Sequence, residues 1–165
     1  MNIEPMTFND WEQVRSIYLE GIREGNSTFE TEAPSWEQWD AAHLQIARLV
    51  ARDGNKILGW AALSPVSKRN VYRGVAELTV YVTESARSRG IGSALLAALI
   101  DESERNGIWT LQASIFPENI ASARLHLRHG FREVGRRERI ATLNGIWRDT
   151  LLLERRSSKV GDLSP

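Results

Sequence analysis

The sequence predicts a single α/β domain over residues 1–155, a mixed sheet with helices on both faces. Three observations predict it. Amphipathic and β-branched segments follow one another in the order α, α, β, β, β, α, β, α, β, β. Two turn signals, Asp53-Gly54-Asn55 and Asn144-Gly145, each join neighbouring strands into an antiparallel pair, which argues against a doubly wound parallel sheet. A basic, glycine-containing segment, Thr83 to Gly92, lies between a strand and a helix.

The elements follow in order. Trp11, Val14, Tyr18 and Ile22 recur at helical spacing, with Asn9 or Asp10 as the cap and Gly21 and Gly25 near the end. A polar loop from Gly25 to Ser35 carries one large apolar residue, Phe29. Ser35 caps a second helix, Trp36 to Leu44. Ile46 to Arg52 and Lys56 to Leu63 form a hairpin, and Ser64 to Gly74 is a charged loop. Val75 to Val82 is a strand rich in β-branched residues. Ile91, Ala94, Leu95, Ala98 and Leu99 form the apolar stripe of a helix that Gly107 ends. Trp109 to Ile115 is a strand, and Pro117 to His129 a short helix with Gly130 after it. Phe131 to Arg139 and Ile146 to Glu154 close the sheet. The polar, aperiodic residues 156–165 read as a flexible tail.

Composition narrows the function. Twenty-one basic and 21 acidic side chains cancel, so the broad positive footprint of a nucleic-acid binder is missing. With no cysteine there is no disulfide framework, thiolate metal site or cysteine nucleophile. No signal peptide and no membrane-spanning run is read, and a reducing cytoplasm is the expected compartment.

The sharpest local signal is Arg87-Ser88-Arg89-Gly90-Ile91-Gly92. Glycines let the backbone approach a ligand closely. Main-chain N–H groups at a helix start, with the helix dipole, favour an anion. Arg87 and Arg89 add charged donors. The segment therefore reads as a pyrophosphate cradle, or else as an ordinary loop with two structural glycines. It has no Gly-Lys-Ser/Thr ending and no dinucleotide fingerprint.

Arg-x-x-Gly-x-Gly opening a helix after a strand resembles the acetyl-CoA motif of the GNAT acetyltransferase superfamily. Asn119 to His126, followed by Gly130-Phe131, resembles that superfamily's second signature. Ser27 to Glu32, Gly59-Trp60-Ala61, Arg69-Asn70-Val71-Tyr72, Val75 to Val82 and Gly145 to Asp149 are similar to the phosphinothricin and methionine sulfoximine acetyltransferase branch. The resemblance implies a central, mostly antiparallel sheet and acetyl-CoA as co-substrate, with no metal. It also implies a small amine acceptor such as phosphinothricin, methionine sulfoximine or methionine sulfone, and a homodimer.

The resemblance also assigns residues. An amine attacks a thioester only when neutral, so a proton acceptor is needed. Glu77 is that base: with Thr79 and Tyr81 it shares one face of an otherwise apolar strand. His126 stands where other members carry the acid that protonates the departing thiolate. A main-chain N–H near Tyr81 and Val82 is assigned to the thioester oxygen. Arg87, Ser88, Arg89, Gly90, Ile91, Gly92 and Ser93 are assigned to the cofactor, with Asn119 and Ser122. Asn119 also reads as a helix N-cap. Arg69 and Tyr72 are expected to clamp the acidic end of the acceptor, and Phe29 to cover it. Ser88 departs from the usual glycine, and a negative φ would accommodate it. Acetylation of a protein N-terminus, a non-catalytic acyl-CoA-binding module and a nucleotide-phosphate binder stay open from the sequence.

Overall fold

A computed structural model of the protein describes residues 1–161. Its strands are β1 Asn2–Pro5, β2 Leu49–Asp53, β3 Lys56–Pro65, β4 Val75–Val82, β5 Thr110–Ile115, β6 Arg132–Leu143 and β7 Ile146–Arg156. Its helices are α1 Trp11–Glu24, α2 Trp36–Ala42, α3 Ile91–Arg105 and α4 Ile120–Arg128. The strands make one sheet in the order β1-β2-β3-β4-β5-β7-β6. Among the described residues only β4 and β5 pair in parallel. This is the mixed, mostly antiparallel sheet that was expected.

Period-2 alternation divides the core between the two faces. Leu63 on β3 and Leu78 on β4 pack with Leu95, Leu96 and Leu99 of α3. Trp60 on β3 and Tyr81 on β4 pack on the other face with Trp11, Val14 and Ile17 of α1 and Trp39 of α2. Gly21 does not end α1. A Cβ there would lie 2.5 Å from the Tyr81 ring, so Gly21 lets the helix settle on β4. Gly25, at φ 74°, is the C-cap. Asp10 does not cap α1 through its side chain. It accepts the Thr7 N–H at 2.8 Å and pairs with Arg52 at 2.7 Å.

The structure adds β1, which pairs with β2 from Asn2↔Arg52 to Pro5↔Leu49. Residues 156–161 of the expected flexible tail lie against the fold. β7 runs to Arg156, and the Ser157 hydroxyl donates to the buried Glu104 carboxylate at 2.8 Å. Arg156 donates to the Val160 and Gly161 carbonyls at 2.9 and 2.7 Å. Residues 162–165 of the expected tail lie outside the described residues.

One feature of the sheet positions the site. β4 and β5 pair only from Val75↔Thr110 to Glu77↔Gln112, although they continue to Val82 and Ile115. Beyond Glu77 the strands part and leave a cleft in the middle of the sheet.

Candidate active site

Two adjoining cavities fill this cleft, of about 330 and 420 Å³. Ser27, Val80, Tyr81, Asn119, Ser122 and His126 line both. The larger runs along Arg87, Ser88, Gly90, Ile91, Gly92 and Ser93 at the start of α3. The smaller is walled by Tyr18, Phe29, His43, Trp60, Glu77 and Phe116. Of the residues expected from the sequence, the start of α3 lines the larger cavity and Glu77 and Phe29 the smaller, termed the cofactor side and the acceptor side.

On the cofactor side, the Ala94 N–H donates to the Gly90 carbonyl at 3.0 Å as α3 begins. The N–H groups before it have no partner within the helix. Gly90 is the N-cap at φ 78°, a left-handed conformation that favours glycine, with open space where a Cβ would stand. Gly92 has a different reason. Its Cβ would lie 3.3 Å from Leu125, so it serves the packing of α3 on α4. Ser88 adopts φ 60°, not the negative φ expected of it. Arg87 lines the cavity while pairing with Glu24. Arg89 is exposed and outside the lining. The open helix start, the left-handed glycine and the flanking arginine fit the pyrophosphate of a CoA-type ligand.

Asn119 is the N-cap of α4: its Oδ1 accepts the Ser122 N–H at 3.2 Å. Its amide nitrogen donates to the Asn26 carbonyl at 3.1 Å. The cap reading holds, and the amide donor already has a partner in the loop after α1.

On the acceptor side, Glu77 Oε1 accepts from Gln112 Nε2 at 3.1 Å and from Ser114 Oγ at 3.2 Å. Thr83 N–H donates to Leu58 O at 2.9 Å across to β3. By alternation the Val82 N–H faces the opposite, parted edge of β4. The Tyr81 side chain is turned away from that edge, stacked on Trp60 at 5.1 Å. Burial, with Tyr18 beside it, pushes its phenol far above the ordinary range.

His126 is buried, at 4% exposure. Its Nδ1 lies 2.7 Å from the Ser122 carbonyl, which makes Nδ1 the donor and leaves Nε2 bare. Nε2 is buried without a partner among the described residues. Burial lowers its pKa, opposed by the Ser122 carbonyl and reinforced by His129. The lowered pKa favours the neutral ring at rest, with its proton on Nδ1 and Nε2 turned to the space that both cavities share.

Arg69 and Tyr72 are not brought to the acceptor cavity. Both are exposed, and the guanidinium lies over the phenol ring at 5.6 Å. The reason is local. Gly74 carries the chain past Trp109 and accepts its N–H at 2.8 Å, which anchors this turn where β4 and β5 are still paired. Phe29 does line the cavity, edge-on to Phe116 at 4.8 Å. The sequence reading missed His43. It stacks on Trp39 at 4.2 Å and holds Nδ1 2.7 Å from the Trp39 carbonyl. Its only signal was its place at the end of an aromatic helix, where it is the C-cap.

Residues 11–131 match the Acetyltransferase (GNAT) family. The chain is 36% identical over 163 residues to phosphinothricin N-acetyltransferase of Streptomyces coelicolor, covering 94% of this chain and 95% of that one. It is 34% identical over 107 residues to L-methionine sulfoximine/L-methionine sulfone acetyltransferase of Pseudomonas aeruginosa, covering 64% and 62%. A GNAT superfamily phosphinothricin acetyltransferase of Sinorhizobium meliloti, crystallised with AcCoA, superposes with TM-score 0.89 at 26% identity, over 99% and 92% of the two chains. Ribosomal-protein-alanine N-acetyltransferase of Brucella melitensis superposes with TM-score 0.87 at 29% identity, over 95% and 100%. These findings set aside the nucleotide-binding and non-catalytic readings. The chain belongs to the GNAT acetyltransferase family and is an acetyl-CoA-dependent N-acetyltransferase.

Proposed function

We propose that the enzyme acetylates the α-amine of a small amino-acid analogue, with methionine sulfoximine and methionine sulfone preferred over phosphinothricin. The observation that supports this is the join of the two cavities where β4 and β5 part, with Glu77 lining only the acceptor side.

The chemistry follows from that arrangement. Acetyl-CoA supplies a thioester carbonyl at the join. The start of α3 and Arg87 hold its phosphates, and the Val82 N–H donates to its carbonyl oxygen. Glu77 takes the proton of the acceptor's ammonium, directly or through a water. Gln112 and Ser114 both donate to Oε1, so the carboxylate is fixed and Oε2 receives the proton. The neutral amine then attacks the carbonyl carbon, the C–S bond breaks, and the proton that the nitrogen sheds on becoming an amide passes through water to the departing thiolate, giving free CoA thiol.

Charge in the acceptor cavity supports the preference. Its lining includes Glu30 and Glu77 and, among the described residues, no Lys or Arg. Its two histidines, His43 and His126, are held below the ordinary histidine pKa by burial, so they are neutral near pH 7. A phosphinate side chain would face these carboxylates uncompensated, whereas sulfone and sulfoximine groups are uncharged. The expected ratio of kcat/KM for methionine sulfone over phosphinothricin is about tenfold or more, the effect of ~1.4 kcal/mol. A ratio of one or below would contradict the preference.

A homodimer and a cytoplasmic location complete the reading. Exposed Val134, Ile140, Ile146 and Trp147 on the β6–β7 hairpin support the first. The supply of acetyl-CoA supports the second.

A further inference from the structure

Arg148 on β7 lies outside both cavity walls, yet its side chain is only 15% exposed and its guanidinium reaches two other segments, the one after α1 and the one after β5. Nη1 donates to the Gly25 carbonyl at 2.9 Å. Nη2 donates to Asn26 Oδ1 at 2.8 Å and to Glu118 Oε2 at 3.2 Å. The guanidinium plane also lies over the Phe116 ring, 4.1 Å from its centroid. A guanidinium held this far from water needs such partners, and its planar fork suits three acceptors better than an ammonium does.

The contacts converge on the acceptor site. Residues 26–30 belong to no helix or strand, and all five line the acceptor cavity. Arg148 ties the start of that segment to β7. Through Phe116 it also backs the ring against which Phe29 packs edge-on. Asn119 adds a second tie, donating to the Asn26 carbonyl at 3.1 Å.

We propose that Arg148 is a positioning residue for the acceptor: it latches the Gly25–Glu30 segment and so sets where Phe29 and Glu30 stand over the bound amine. It touches neither substrate. The inference rests on the reading of the smaller cavity as the acceptor site.

The test uses Arg148→Met, which keeps the stem over Phe116 and removes the charge and its donors. Steady-state constants are measured for methionine sulfone and for acetyl-CoA, with melting temperature recorded alongside. The expected result is a KM for the amine raised about tenfold, the size of one lost charge-assisted hydrogen bond, with the acetyl-CoA KM changed far less. Arg148→Lys restores only part of the loss. In a Phe29→Ala background Arg148→Met has little further effect, because both act through one ring. An equal rise in both KM values with a falling melting temperature would mean a general structural role. Additive effects of the two substitutions would also overturn the proposal.

Hydrogen exchange gives a readout that needs no turnover. Peptides covering Gly25–Glu30 exchange faster in Arg148→Met while those of β4 do not. Unchanged exchange there would overturn the latch even if no amine were turned over, whereas failure of wild-type turnover alone would count only against the substrate reading. Should Arg148→Met not fold, Asn26→Ala removes one acceptor at an exposed position and is expected to give the same split in smaller size.

Discussion

Glu77 stands out in the sequence because a carboxylate interrupts a strand of otherwise apolar and hydroxyl side chains, and such a group has to be paired or functional. The structure gives it two neutral donors, Gln112 and Ser114, rather than an arginine. Two neutral donors orient the oxygen and leave the carboxylate's charge in place. Glu77→Gln is therefore expected to lower kcat by about 10²-fold or more, the usual size of a general-base effect, while acetyl-CoA still binds. Stopped-flow turnover with acetyl-CoA titration of tryptophan fluorescence checks both halves, and near-normal kcat would end the assignment. Arg69 and Tyr72 show the limit of residue-level reading. Their order along the chain resembles a clamp, but where the turn goes depends on Trp109, 35 or more residues away, binding Gly74.

At the scale of elements, alternation and turn chemistry made β2 through β7 and all four helices readable. The misses have physical causes. β1 is four residues long and ends in proline, and only pairing with β2 makes it a strand. β6 passes its expected end at Arg139 because that residue, at φ 45°, takes up an irregularity in the pairing with β7 between Arg137 and Ala141. Residues 155–159 are held by Glu104 through Arg155, Ser157 and Lys159, pairings that no periodicity reveals. The start of α3 was read as an anion-binding turn, and of its two glycines only Gly90 needs glycine for its backbone. Gly90→Ala forces a left-handed alanine, at about 1–2 kcal/mol. It is expected to raise the acetyl-CoA KM and leave the amine KM nearly unchanged, and an effect confined to the amine would contradict the assignment of the two cavities.

At the scale of the whole molecule, burial ties stability to pH. Desolvation is the leading cause that holds His43, His126 and His129 below the ordinary value of 6.5. Their folded pKa values are lower than their unfolded ones, so between the two the unfolded chain binds more protons. Stability is then fully present above about pH 6.5 and falls as pH drops below it. Melting temperature is expected to decline between about pH 7 and pH 5, with a shallower decline in His126→Gln. A flat profile would contradict the burial of these rings. The proposed dimer belongs to this scale too. Size-exclusion chromatography with light scattering is expected to give about twice the 18.6 kDa chain mass, and Trp147→Glu to halve it. A wild-type monomer would contradict it.

The central claim is that the cleft between β4 and β5 carries acetyl from CoA to a small α-amine. The most direct measurement is release of free CoA thiol from acetyl-CoA when the purified enzyme meets a panel of amines. The panel holds methionine sulfone, methionine sulfoximine, phosphinothricin, ordinary amino acids, polyamines and a short peptide with a free N-terminus. Release is expected to be fastest with the sulfone and sulfoximine, and to be lost in Glu77→Gln. Release only with the peptide or the polyamines would keep the fold and the co-substrate but contradict the assigned acceptor.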